Sequence, residues 1–153
     1  MTHSRYPELS EHAFFAGLDN AAVAAIQSCA RDCHYATGNW IARQGAPADD
    51  LYFIQDGRVA VVFPAPQREL TIQTLSAGDI VGWSWLMPPH EWQFDIKAVK
   101  DCSMMGIDGR SLRAKCEQDH HLGYALMKRL SRVMVDRLQA TRLQLMDVYE
   151  NRK

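Results

Sequence analysis

Two kinds of apolar spacing divide the chain. From Ser10 to Arg31, Phe14, Phe15, Leu18, Val23, Ile26 and several alanines fall at helical intervals, which predicts helix. Gly17 and the Asp19–Asn20 pair interrupt this run, and either Asp19 or Asn20 could cap its second piece. From Tyr35 to Ile107 the apolar segments become short and rich in β-branched and aromatic residues. Gly38, Gly45, Gly57, Gly78 and Gly82 punctuate them. Leu51 to Ile54, Val59 to Phe63 and Thr71 to Leu75 read as strands. Asp56-Gly57 predicts a hairpin turn over Gln55 to Arg58, and Pro64 and Pro66 break the next connection. The helical period returns from Asp108, with a short helix over Ser111 to Glu117 and a long one from Asp119 to about Tyr149.

The long helix carries a stripe of Met127, Leu130, Met134, Leu138, Thr141, Leu145 and Val148. Its steps alternate between three and four, close to the seam of a coiled coil. Leu126, Val133 and Ala140 form a second line. A helix with two apolar lines needs two partners, here the β region and the twin helix of a homodimer. Many short strands between glycine turns, flanked by helices, predict a mainly β fold: an antiparallel, jelly-roll-like β-roll followed by a long C-terminal dimerisation helix. The whole chain, 1–153, reads as one domain: N-terminal helices over 1–34, the roll over 35–107, and C-terminal helices over 108–153.

Composition narrows the function. The chain has 153 residues, 47% hydrophobic and 23% charged, with a formal net charge of −1. Near-neutral charge gives no electrostatic case for nucleic acid. No apolar run is long enough to span a bilayer, and the N-terminus lacks the pattern of a signal peptide, so a cytoplasmic location with no membrane partner is expected. Cys29, Cys33, Cys102 and Cys116 form no CxxC pair, and reduced, partly buried thiols are expected. A metal or iron–sulfur site would need the fold to gather distant cysteines. His3, His12, His34, His90, His120 and His121 are scattered, so no metal set of a roll-shaped enzyme is visible. No nucleophile–base constellation is visible either. A non-enzymatic protein with neither metal nor cofactor is expected.

The glycine-led frame carries a resemblance. Phe14 to Leu18, Gly38 to Ile41, Gly45, Tyr52 to Val59 and Arg137 to Arg142 together resemble the cyclic nucleotide-binding domain of the catabolite activator protein (Crp/Fnr) superfamily. The resemblance covers nearly the whole chain. It implies an antiparallel roll with a ligand held under it against the long helix. In the transcription factors of this family a helix-turn-helix follows that helix. This sequence stops at Lys153, so direct DNA binding by that route is not expected.

The family's phosphate cassette opens with Gly-Glu and is followed by an arginine on the next strand. The corresponding stretch here spans 78–94. Gly78, Asp79, Ile80, Val81, Gly82, Trp83, Ser84 and Trp85 line the expected pocket together with Phe94, Ile96 and Thr141. Trp83 stands where the glutamate would be, and the arginine position falls near Phe94. No arginine occurs between Arg68 and Arg110. Strand alternation puts Phe94, Ile96 and Ala98 on one face and Asp95 and Lys97 on the other. Asp79, Glu91 and Asp95 make the neighbourhood acidic, which disfavours a buried phosphate. Family members contact the adenine through a Thr-Ser pair on the long helix, which Thr141 and Arg142 match only at the threonine. The cluster of Trp83, Trp85, Trp92 and Phe94 reads two ways: indole filling the pocket, or an aromatic cavity for an uncharged or cationic ligand. The expected function is a dimeric sensor with a degenerate cassette that does not bind cyclic AMP or cyclic GMP in the usual way. It would respond to an unidentified small molecule or a protein partner. The alternatives are a cyclic nucleotide receptor with a divergent pocket and a cysteine-based redox or metal sensor.

Overall fold

The computed structural model describes residues 13–64, 66 and 69–151. Ser10 to His12 of the expected first helix lie outside the described residues. The expected interruption is present: a 3₁₀ turn over Ala13–Phe15 gives way at Gly17 to helix α1, Asn20–Gln27. Asp19 caps α1, its Oδ1 accepting from the Ala22 amide at 2.7 Å.

Eight strands follow: β1 (Ala30–Tyr35), β2 (Trp40–Ala42), β3 (Asp50–Asp56), β4 (Arg58–Pro64), β5 (Glu69–Ser76), β6 (Ile80–Val81), β7 (Asp95–Ala98) and β8 (Cys102–Asp108). They form two four-stranded antiparallel sheets, ordered β1-β8-β3-β6 and β2-β7-β4-β5. Helix α2, Gly109–Gln118, and helix α3, His120–Glu150, complete the chain.

Strand β3 shows why the sequence builds two cores. Leu51 and Phe53 point to one side of the first sheet, where they meet Phe15 and Ile26 and, on the C-terminal helices, Leu112, Leu122, Leu126 and Leu130. Tyr52 and Ile54 point to the other side, into the space between the sheets with Val59, Leu75, Val81, Trp92 and Ile96. A strand covered on both faces reads as an unbroken apolar run rather than an alternating one. Strand β8 splits the same way, with Cys102 and Met104 between the sheets and Met105 and Ile107 under the helices. Each such side chain contributes on the order of 1.5–3 kcal/mol.

The expected hairpin at Asp56-Gly57 is not one. Strand β3 pairs with β6 and β8, whereas β4 pairs with β5 and β7. The turn is a corner between the two sheets. Gly57 has the expected positive φ, 103°, but the reason is proximity as well as twist: a Cβ there would lie 2.4 Å from the Asp101 carbonyl oxygen. The roll also begins earlier than expected. Strand β1 opens at Ala30, so Cys29 follows α1 and Cys33 lies in a strand, and the two are not one helical turn apart.

Helix α3 has two halves. Leu122, Leu126 and Leu130 are buried against the helix-side core, and Met127, Val133 and Met134 pack around them. Beyond that, Val135, Leu138, Leu143, Leu145, Met146, Val148 and Tyr149 are exposed. Of the expected dimer seam, Met127, Leu130 and Met134 therefore serve the protomer's own core. Leu138, Thr141, Leu145 and Val148 remain uncovered.

Candidate functional site

The cassette begins where β5 turns into β6. Gly78 adopts φ 95°, and its amide donates to the Ile54 carbonyl while the Ile54 amide donates to the Asp79 carbonyl, both at 3.0 Å. This pins the turn to the centre of β3. Asp79 Oδ2 accepts from the Ser76 amide at 2.9 Å, so one of its oxygens is spent closing the turn. Ile80 and Val81 are buried on opposite faces, Ile80 in the helix-side core and Val81 between the sheets.

Gly82 follows at φ 92°. A Cβ there would stand 2.6 Å from Cη2 and 2.9 Å from Cζ3 of Trp92, so the indole occupies the space directly over this glycine. Trp92 is 7% exposed and stacks on Tyr52, with ring centroids 6.3 Å apart and planes at 20°. Its backbone is held from both sides: its amide donates to Ala46 at 2.9 Å, and its carbonyl accepts from Gly45 at 2.8 Å. The indole thus sits in the inter-sheet core with little freedom to leave it.

The other tryptophans have different tasks. Trp85 is fully buried, but in the helix-side core, where it packs on Gly109 at the start of α2. Arg113 of α2 donates to its carbonyl. Among the described residues the Trp85 indole Nε1 meets no hydrogen-bond partner. Trp83 is half-buried beneath the guanidinium of Arg137, 5.2 Å from Cζ to ring centroid. Ser84 lies between them, half-buried.

Phe94 does not face this interior. Strand β7 begins one residue later, so the alternation that orders Asp95 to Ala98 does not extend back to it. Its ring is 36% exposed and meets Phe63 edge-on. Ile96 and Ala98 face the inter-sheet core as expected. Lys97 points away from it, 3.9 Å from Glu69 and over the Trp40 ring. Asp95 is buried, accepts from the Gln44 amide at 2.7 Å and faces Arg43 at 3.5 Å. Its charge is therefore matched locally. Thr141 is exposed, and its hydroxyl donates to the Arg137 carbonyl one turn back, so it is turned onto its own helix.

The structure brings Trp92 and Arg137 to the cassette: Trp92 is the member of the expected aromatic cluster whose indole lies over Gly82, whereas Arg137 was not expected among the pocket residues. Which member of that cluster fills the space carries no periodic signal, because Trp92 lies in the loop before β7. Arg137 carried a signal: it lies four residues after Val133 and four before Thr141, on one helix face. Its guanidinium donates to the Ile80 carbonyl. Burial pushes its pKa down to about 10, and the Asp79 carboxylate offsets this only in part. Among the described residues no group of three or more His, Cys, Asp or Glu could hold a metal ion. The four cysteines are unpaired, and burial raises the thiols of Cys33, Cys102 and Cys116, away from the reactive thiolate. Among the described residues no helix is long and apolar enough to cross a membrane.

A roll of two antiparallel sheets, a glycine-opened cassette between β5 and β7 and a long helix closing over it define a class of regulatory domain. The model of the cyclic nucleotide-binding domain matches residues 32–119. The chain belongs to that family, within the Crp/Fnr superfamily. It is 23% identical over 141 residues to a CRP-like cAMP-activated global transcriptional regulator of Mycobacterium tuberculosis, covering 92% of this chain and 61% of the relative. It is 42% identical over 53 residues to glutaminase 2 of Bradyrhizobium diazoefficiens, but this spans 35% of the chain and 8% of that enzyme. The chain thus spans less than two thirds of either relative. Among solved structures, a protein of the cyclic nucleotide-binding class from Geobacter metallireducens superposes with a TM-score of 0.79 at 25% identity, covering 88% of this chain and 98% of its own.

Proposed function

We propose that this chain is a non-enzymatic regulatory module in which the family's nucleotide-phosphate position is closed, so that it does not bind cyclic AMP or cyclic GMP in the usual way. One observation carries the reading: the Trp92 indole fills the space over Gly82. Two others support it. Trp83 offers an aromatic face where the resemblance calls for a carboxylate to hold the ribose. The nearby bases do not replace the phosphate arginine, because Lys97 points outward and Arg137 is engaged by the Ile80 carbonyl. A buried phosphate without a matched cation is strongly disfavoured, and losing one charge-assisted contact typically weakens binding by about two to three orders of magnitude. The module works as a cytoplasmic homodimer through the exposed C-terminal half of α3. It responds to a small molecule or acts through a protein partner rather than directly on DNA.

The M. tuberculosis relative is described as cAMP-activated, which favours a second reading as a receptor with a divergent pocket. Titration calorimetry with cyclic AMP and cyclic GMP decides between them. No saturable heat is expected up to millimolar nucleotide, and micromolar binding would overturn the closed-pocket reading.

A further inference from the structure

Three of the four sheet edges are blunted. Strand β1 sets Arg31, Asp32 and His34 out to solvent, and β2 and β6 are three and two residues long. Charge and shortness are two ways in which sheet edges avoid further pairing. Strand β5 has neither protection. It pairs only with β4, runs for eight residues and carries one charge, Glu69, at its first position. It contains no proline, glycine or lysine. Alternate backbone N–H and C=O groups of an antiparallel edge strand point away from its neighbour. Among the described residues no backbone hydrogen bond joins Leu70 to Leu75 to any element but β4.

The flanks of this edge show what would add to it. At its start Leu70 lies opposite Phe63, each 45% exposed, and Phe94 meets Phe63 edge-on, an uncovered apolar patch. Towards its end Gln73, Thr74 and Leu75 form one wall of an open groove of about 1080 Å³, and Lys128, Arg129 and Arg132 of α3 stand in the other. Lys128 is exposed and meets no carboxylate among the described residues. Arg132 meets Asp136 at 3.9 Å in an exposed pair on its own helix, which is worth little. Arg129 donates to the Ala16 and Ala125 carbonyls and keeps its charge. Arg137 is engaged by Ile80 and takes no part. A second copy of β5 matches this cationic wall poorly. The one carboxylate it would bring, Glu69, already faces Lys97 at 3.9 Å.

We infer that β5 is a docking edge for an extended, acidic segment of a partner protein. The segment adds to the second sheet beside β5, with acidic side chains towards Lys128 and Arg132 and an apolar one on Phe63 and Leu70. In this mode main-chain hydrogen bonds give affinity and alternate side chains give specificity. The inference rests on the regulatory reading above, from which it takes a protein partner, and it supplies that partner's chemistry. The closed phosphate position is not involved, because Trp92 lies in the loop before β7 rather than on this edge.

The test uses the full chain and an acetylated, amidated peptide of alternating Glu and Val, about eight residues long to match β5. The readouts are titration calorimetry and amide hydrogen exchange followed residue by residue. One control peptide carries Lys in place of Glu. Two more are methylated on one or the other alternating set of backbone nitrogens, which keeps their charge. Saturable binding at or below millimolar peptide is expected, with slowed exchange within Leu70 to Leu75. Only one set of peptide N–H groups faces β5, so one methylated peptide should bind about tenfold more weakly and the other should not. Lys128→Glu with Arg132→Glu should weaken the Glu peptide about tenfold and admit the Lys peptide. If that variant does not fold, the four peptides on the unmodified protein still decide. No saturable binding, equal binding by both methylated peptides, unchanged binding by a folded double variant, or protection confined to other strands each overturns the proposal. So does protection of β5 that rises with protein concentration in the absence of peptide, which gives the edge to a second copy. Cyclic AMP titrated separately tests the reading beneath. If it binds at micromolar concentration, the closed pocket falls and the edge is judged on the peptides. If it is silent and the peptides are silent too, the edge falls and the closed pocket stands.

Discussion

Replacing Trp92 with alanine measures how firmly the indole closes the roll. The side chain is 7% exposed and lies against Gly82 and Tyr52. Its backbone bonds to Gly45 and Ala46 do not involve the ring, so the loop keeps its anchor and the loss is mostly that of packing. Truncating a buried tryptophan costs roughly 3–5 kcal/mol, against a total stability of about 5–15 kcal/mol for a typical domain. At about 2–4 °C per kcal/mol for a chain of this size, the melting temperature should fall by roughly 6–20 °C. Trp92→Phe keeps a ring on Tyr52 and should lose less than half as much. Urea denaturation followed by circular dichroism gives both values. A loss below about 1 kcal/mol for Trp92→Ala would show a loosely held ring rather than a plug. The emptied site would still lack an arginine and a carboxylate, so the alanine variant should gain no cyclic AMP binding. Micromolar affinity in that variant would refute the electrostatic part of the reasoning.

Three further outcomes follow from the fold. Gly57→Ala places a methyl 2.4 Å from the Asp101 carbonyl and 2.8 Å from the Cys102 Cα at a φ of 103°, and should cost more than about 2 kcal/mol in urea titration; near-neutral behaviour would mean the corner can open. Asp108 caps α2 through the Ser111 hydroxyl and amide, and these two bonds hold its carboxyl below its ordinary value of 3.8. Its contribution is therefore complete above that value and is lost as pH falls through the lower folded value. Asp108→Ala should cost about 1 kcal/mol at neutral pH and flatten the acid limb of a stability–pH curve, and an unchanged limb would refute the cap's role. Leu138→Asp with Leu145→Asp should convert a dimer to a folded monomer in sedimentation, because both side chains are exposed within the protomer; an unmodified chain that is already monomeric at tens of micromolar would refute the seam.

The sequence made the roll and both C-terminal helices legible, for a physical reason. Strands β3 and β4 and helix α3 bury enough side chains to carry their period in the residues themselves, whereas β5 buries only Leu75 and is marked by its β-branched and apolar residues. Strand β1 does not: Ala30 to Tyr35 is an edge strand with charged and polar residues at most positions and no fully buried side chain. Strands β2 and β6 are three and two residues long, too short for any period. The corner at Gly57 is not legible locally, because Asp-Gly reports a local dihedral need, whereas pairing is set by β6, β7 and β8, far away in the chain. At the site, the missing cassette groups could be read residue by residue. That Trp92 rather than Phe94 lies within could not, since it depends on β7 starting at Asp95 and on the bonds from Gly45 and Ala46.

Arg137 ties these parts together. It sits on α3 just past the last fully buried leucine, Leu130, where the helix leaves the protomer core and its apolar residues become exposed. Its side chain reaches back to Ile80 and Trp83 at the mouth of the cassette. The β5–β6 turn it touches is bonded in turn to Ile54 at the centre of the roll. Roll, cassette and exposed helix half are thus joined by contiguous contacts through one side chain, a physical arrangement that can carry energetic coupling. The helix half that carries Leu138 and Leu145 begins at the same residue, so the cassette mouth and the exposed helix half share one element.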